Sequence, residues 1–215
     1  MTTMRAVTVE ATDYFSNHRV KLRFPWSLYH RPIVNELHAA LRSSAGTDVL
    51  NIGSGPFFEL PDLPTGGKRF TVCDIDPRAV DLAALLHGTA IARADVVIPG
   101  APLPYANGSY DAVVSMDVIE HVVDPLPWLR EALRVLRPGG TLFLTTPNYA
   151  SLSLRAIEST VLEAIARVQG FSRSGLHPTK LDAGRLRSLL AQAGAERVGV
   201  RVISRGWVLA AHAVR

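Results

Sequence analysis

The chain has 215 residues, 47% hydrophobic and 20% charged, with a net charge of +4. A chain of this size buries roughly 70% of its unfolded surface, and this composition excludes a disordered or coiled-coil protein. No apolar run reaches the ~20 residues of a bilayer span, and a single cysteine, Cys73, excludes a disulfide framework or a multi-cysteine metal site.

Residues 1–11 read as a frayed arm without the basic and apolar pattern of an export signal, so a cytoplasmic location is expected. From 12 to 42 the pattern is helical, with breaks expected at Pro25 and Pro32. Ile33, Val34, Leu37 and Leu41 recur on one face. Tyr14, Phe15, Phe24, Trp26 and Tyr29 make this stretch aromatic, as suits a cap on a sheet edge or a lid over a ligand.

A first strand is expected at 48–52, ending in the Gly53-Ser54-Gly55 turn. Glycine there lets a ligand come close to the bare backbone, because it has no Cβ. Pro56, Pro61 and Pro64 leave room for about one helical turn before a second strand at 69–74. Asp74 closes that strand about 20 residues after Gly53, the offset at which an acid reaches a ribose hydroxyl. The residues themselves thus point to a nucleoside cofactor. Asp76 precedes Pro77 and is read as the cap of a helix running to about 87. Cys73, inside an apolar strand, is read as an inert thiol.

Further strands are expected at 89–94, 110–116 and 141–146. A helix opens at Asp124-Pro125 and is stopped by Arg137-Pro138-Gly139-Gly140. A single amphipathic helix is read over 152–168, with Leu152, Ile157, Val161, Leu162, Ile165 and Val168 on its apolar side. A helix at 182–193 and a hairpin of 196–203 with 206–214 close the chain. Strands alternating with helices predict a parallel sheet covered on both faces, with an antiparallel edge.

The motifs NIGSG (51–55), DIDP (74–77), AD (94–95), SMDVIEHV (115–122), RVLRPGG (134–140) and TTPN (145–148) occur in that order. With them, residues 41–214 resemble the class I S-adenosylmethionine-dependent methyltransferases. The likeness is to the small-molecule branch that includes the quinone-pathway O- and C-methyltransferases. The resemblance implies a Rossmann-like three-layer α/β sandwich with a seven-stranded sheet in the order 3-2-1-4-5-7-6, strand 7 antiparallel. It implies one domain over 1–215: a helical cap (1–44), a cofactor core (45–147), an acceptor-side insertion (148–180), and a last helix with the closing hairpin (181–215).

By the same resemblance, Asn51, Gly53, Ser54 and Gly55 underlie the methionyl and ribose portions of S-adenosylmethionine. Asp74 takes the ribose hydroxyls, Ile75 and Val96 flank the adenine, and Asp95 bonds its amino group. Met116 and Asp117 border the methionyl group, and Arg31 meets the cofactor carboxylate. His121 and His177 are the candidate bases, with Tyr14, His18 and Tyr29 behind them. No metal is expected. The implied partner is a small organic acceptor of secondary or quinone-like metabolism, and the protein a monomer or homodimer. A membrane-surface role for 152–168 is the lesser expectation, because its polar flank is of mixed sign. Nucleic acid is not favoured, because basic and aromatic residues do not interleave.

Two departures from the family pattern stand out. Asn51 replaces the usual acid, and Phe57 replaces a common third glycine. These leave a catalytically silent cofactor-binding module as the alternative. NAD is disfavoured, because Phe58 occupies the last glycine position of a dinucleotide turn and the helix that would hold a pyrophosphate is cut short.

Overall fold

The computed structural model describes residues 23–168 and 176–215. Seven strands form one sheet: β1 (Asp48–Ile52), β2 (Arg69–Asp74), β3 (Ile91–Val96), β4 (Tyr110–Met116), β5 (Leu136–Pro147), β6 (Arg197–Ile203) and β7 (Val208–Val214). Their order is β3-β2-β1-β4-β5-β7-β6. β7 alone runs antiparallel, to β5 on one side and β6 on the other. The expected topology is therefore the observed one.

Among the described residues six helices accompany the sheet: α1 (Ser27–Ser43), α2 (Pro77–His87), α3 (Pro125–Arg134), α4 (Leu152–Ile157), α5 (Glu163–Val168) and α6 (Ala183–Ala193). The central strands are apolar on both faces, as parallel strands covered twice must be. Leu50, Ile52, Val113, Leu142, Leu144 and Leu209 pack with Leu129 and Leu133 of α3 and Leu186 and Leu190 of α6. Val49, Val72, Val114 and Phe143 face the other way, onto Leu37 and Leu41 of α1, Ala83 of α2, and Phe57 and Leu60.

Several local expectations are met. Asp76 caps α2, its carboxylate accepting from the Arg78 N–H. The short segment after the glycine turn is a single 3-10 turn, Leu60–Asp62. Gly194 ends α6 in the left-handed region.

Others are corrected. Pro32 lies inside α1 and does not break it; one and a half turns from the start, it removes a single hydrogen bond from an otherwise continuous helix. The strand expected at 89–94 begins at Ile91, because Gly88–Ala90 is a 3-10 turn. β5 begins at Leu136, five residues early, and its pairing with β4 shifts register between Tyr110 and Ala112. Gly139 takes φ 77° at that irregularity.

The helix read as continuous over 152–168 is interrupted by a π turn, Glu158–Leu162, between α4 and α5. Its apolar side is also displaced: Leu152 is 76% exposed and Leu154 is buried. An extra residue in a turn rotates everything after it relative to what precedes, so one periodicity cannot describe both halves.

Candidate active site

The parallel strands deliver their carboxyl ends to one edge, and the turn after β1 is built there. The Gly53 and Ser54 N–H groups both donate to the Cys73 carbonyl, at 2.8 and 3.1 Å. Gly53 takes φ 67°, and a Cβ on it would lie 2.5 Å from the Val118 side chain. The missing Cβ at this position therefore admits a side chain of the protein itself.

Asp74 holds the turn from the neighbouring strand. Its Oδ2 accepts from the Gly55 N–H at 2.8 Å and its Oδ1 from the Asp76 N–H at 3.0 Å. Burial raises its pKa, and these backbone donors oppose the shift. Each carboxylate oxygen has a second lone pair for a ligand hydroxyl. Cys73, one residue earlier, is buried and its thiol is pushed up to about 12, chiefly by desolvation, as expected of an inert sulfur.

Asn51 is 0% exposed, and neither its amide nitrogen nor its amide oxygen has a hydrogen-bond partner among the described residues. A buried amide left unpaired costs about 1–3 kcal/mol, and such groups commonly answer to a ligand or a water. Ser54 is buried and turns its hydroxyl to the Gly55 carbonyl.

Phe57, where a glycine is common in the family, keeps a glycine-like backbone at φ 53°. Its buried ring meets Phe70 edge-on at 5.7 Å and His87 at 6.4 Å.

At the end of β3, Asp95 is already engaged. Its Oδ2 accepts from the Tyr105 hydroxyl at 2.9 Å and pairs with Arg93 Nε at 2.7 Å. The Arg93 guanidinium also lies over the Tyr105 ring at 5.1 Å. Arg93 shares a face of β3 with Asp95 two positions on, as strand alternation dictates, whereas nothing in the sequence ties Tyr105 to it. Val96 is 51% exposed and Ile75 is half-buried, which leaves apolar surface on both sides of Asp74. The Val97 N–H to Asp74 carbonyl bond, 2.9 Å, fixes the spacing of these two strand ends.

After β4, Asp117 adopts φ 52° and accepts from the Thr145 hydroxyl at 2.9 Å. Met116, beside it, packs partly against the core. Arg31 is exposed on α1 and makes no hydrogen bond or ion pair among the described residues. Tyr14 and His18 lie outside the described residues.

The two candidate histidines, 56 positions apart in the chain, come together: their ring centroids are 4.8 Å apart, edge to face. His121 Nδ1 is 2.8 Å from the Leu176 carbonyl. A carbonyl only accepts, so Nδ1 carries the hydrogen and, in the neutral ring, Nε2 carries the lone pair. His177 Nδ1 bonds the Tyr149 hydroxyl and lies 3.8 Å from Glu158 Oε1. The segment carrying His177 is pinned to the His121 turn, since the Thr179 N–H donates to the Glu120 carbonyl at 3.1 Å.

Glu120 is buried, and one of its oxygens accepts from the Thr146 hydroxyl at 3.0 Å. Glu120, His121 and His177 each offer a ligand atom within 4.8 Å of the other two, a grouping that can hold a divalent cation. No metal is expected from the sequence, in which only the Glu120-His121 pair is adjacent. The third member of the grouping arrives only through the fold.

Burial, and then the charge of Asp117, drives the Glu120 carboxyl well above its usual 4.5. The folded state thus binds this proton more tightly than the unfolded chain. The stability it contributes is complete below about pH 4.5 and is lost as pH rises through the raised value. Replacing Glu120→Gln should therefore help increasingly as pH rises, by up to about 1.4 kcal/mol per pH unit in that window. Urea denaturation of both proteins between about pH 5 and 8 checks this, and a constant difference would contradict it.

A sheet in this order, with a glycine turn tied to an aspartate on the second strand, defines a Rossmann-like domain for a nucleoside cofactor. Residues 50–144 match the family model described as a methyltransferase domain. Over that stretch, a little under half of its length, the chain is similar to the S-adenosylmethionine-dependent methyltransferases, and its similar relatives include quinone-pathway enzymes. It is 32% identical over 139 residues to the ubiquinone biosynthesis O-methyltransferase of Xanthomonas campestris pv. campestris, covering 64% of this chain and 58% of that protein. The match thus spans little more than half of the relative.

The fold is shared with a SAM-dependent methyltransferase from Aquifex aeolicus (TM-score 0.63, 18% identity, 92% of this chain and 97% of that one). It is shared equally with the cyclase SpnF (TM-score 0.66, 15% identity, 90% and 84%). No helix among the described residues is long and apolar enough to cross a membrane.

Proposed function

We propose that this chain transfers a methyl group from S-adenosylmethionine to a hydroxyl of a small organic acceptor. The observation that carries the reading is the placing of the Asp74-held turn and the His121–His177 pair after strands that end on one sheet edge. Bound there, the cofactor supplies a methyl group already activated on a sulfonium.

The chain's own residues then have two tasks. Asp74 accepts the ribose hydroxyls, the apolar surfaces of Ile75 and Val96 flank the base, and the Asn51 amide gains polar partners at the methionyl end. His121 Nε2 takes the acceptor proton, with the imidazole held in that tautomer by the Leu176 carbonyl. Oxygen is the favoured acceptor atom because the relative is named for O-methylation. The SpnF likeness shows why fold alone does not carry the chemistry.

A second form of the same reading rests on the Glu120, His121 and His177 group. A divalent cation on these ligands would lower the pKa of a bound hydroxyl in place of a free base.

The test begins with the cofactor. Asp74→Ala should weaken S-adenosylhomocysteine binding by roughly 1–3 kcal/mol, the scale of hydrogen bonds to a charged group, measured by calorimetry. Unchanged affinity would remove the ribose from Asp74. Labelled methyl transfer to a panel of phenols, catechols and amines then decides between enzyme and silent module, the latter binding cofactor while methylating none of them.

A further inference from the structure

Beside the histidines opens a cavity of about 830 Å³, within the size range of small-molecule sites. Among its described lining residues, the helical segment from α4 to α5 supplies the charged Arg155, Glu158, Glu163 and Arg167, and Tyr149, His177 and Lys180 face them. Among the described residues the charges do not balance. Arg167 is neutralised by Glu163, with Nε 2.9 Å from Oε1, and Glu158 lies 3.8 Å from His177. Arg155 and Lys180 have no carboxylate within ion-pair distance among the described residues. The Lys180 ammonium instead lies 5.7 Å from the centre of the Tyr149 ring, and the Tyr149 hydroxyl bonds His177. One uncompensated cation thus connects through a single aromatic side chain to a candidate catalytic imidazole.

We propose that this cavity is the acceptor site and that it selects hydroxylated acceptors bearing a carboxylate. Arg155 and Lys180 hold the carboxylate, and the hydroxyl lies at the histidine end. The inference rests on the methyl-transfer reading for the word acceptor, while the anion selectivity stands on the charges alone. A guanidinium grips a carboxylate through paired N–H donors, and an ammonium adds a point charge, so the two together discriminate an acid from its neutral ester. Tyr149 carries both the cation above its ring and the bond to His177, which fixes the imidazole relative to the anion-binding end.

The probe is 3-(3,4-dihydroxyphenyl)propionate against its methyl ester. Binding of each to the protein saturated with S-adenosylhomocysteine is measured by calorimetry at about 150 mM salt, where unspecific charge attraction is screened. The acid should bind about tenfold more tightly than the ester. In the Arg155→Gln/Lys180→Gln double variant that preference should disappear, with ester and S-adenosylhomocysteine affinities unchanged. Both side chains are exposed, so the variant keeps its fold. Equal binding of acid and ester, or a preference that survives in the double variant, overturns the proposal. If the acid is preferred but neither compound is methylated, the anion site stands and the methyl-transfer reading fails for this class of compound.

Discussion

Replacing His121→Ala is expected to slow methyl transfer by roughly 100- to 10,000-fold, the usual loss when a positioned acid–base group is removed. Cofactor affinity should stay within about twofold, because Asp74 stands on β2, across β1 from the strand that leads to His121, and shares no hydrogen bond with the imidazole. The experiment is a comparison of kcat by labelled methyl transfer with S-adenosylhomocysteine affinity by calorimetry. A loss confined to kcat puts the side chain in the chemical step, and a loss confined to affinity moves it to cofactor binding.

The same variant separates the two forms of the reading. If His121 is the proton acceptor, the pH profile loses its ascending limb and added magnesium or manganese changes nothing. If the imidazole is one of three cation ligands, chelator silences the wild-type protein and excess metal partly restores the variant. Retained activity in both His121→Ala and His177→Ala would place proton removal elsewhere.

The second large effect is on stability. Phe57→Ala should cost about 3–5 kcal/mol, the range for deleting a buried aromatic ring, because the ring lies against Phe70 and His87 beneath the cofactor turn. The unusual component is the backbone. A left-handed residue with a Cβ is strained by roughly 1–2 kcal/mol, and Phe57 bears that strain at φ 53°. Phe57→Gly removes the strain along with the ring, so the glycine variant should equal or exceed the alanine variant in stability, the reverse of the usual order. Urea midpoints of the three proteins decide it. An alanine variant within about 1 kcal/mol of wild type would mean that the ring is not an anchor.

The sheet was legible because its signals are local. Alternating apolar strands, glycine turns and acids at strand ends each act within a few residues, and the order of six motifs supplied the topology. Asp76 capping α2 and the single turn between Pro56 and Gly66 are of the same kind.

The misses share a different cause. The Tyr105 hydroxyl on Asp95, the Leu176 carbonyl on His121 and the Glu158 carboxylate near His177 are meetings between distant or unpatterned residues. Nothing in the neighbouring sequence records them. The 152–168 stretch departs for yet another reason: the π turn breaks the single periodicity on which one continuous helix rests, while the exposure of Leu152 and burial of Leu154 are set in the first turn of α4, ahead of it. Gly53 was assigned correctly to a tight turn, but its free space belongs to Val118.

The carbonyl that orients the His121 ring is carried by Leu176, on the segment that leads into α6. Thr179 rivets that segment to the Glu120 carbonyl three residues later. If His121 is the proton acceptor, as proposed, the catalytic tautomer depends on a residue 55 positions away: without the Leu176 carbonyl the neutral ring loses its preference for hydrogen on Nδ1.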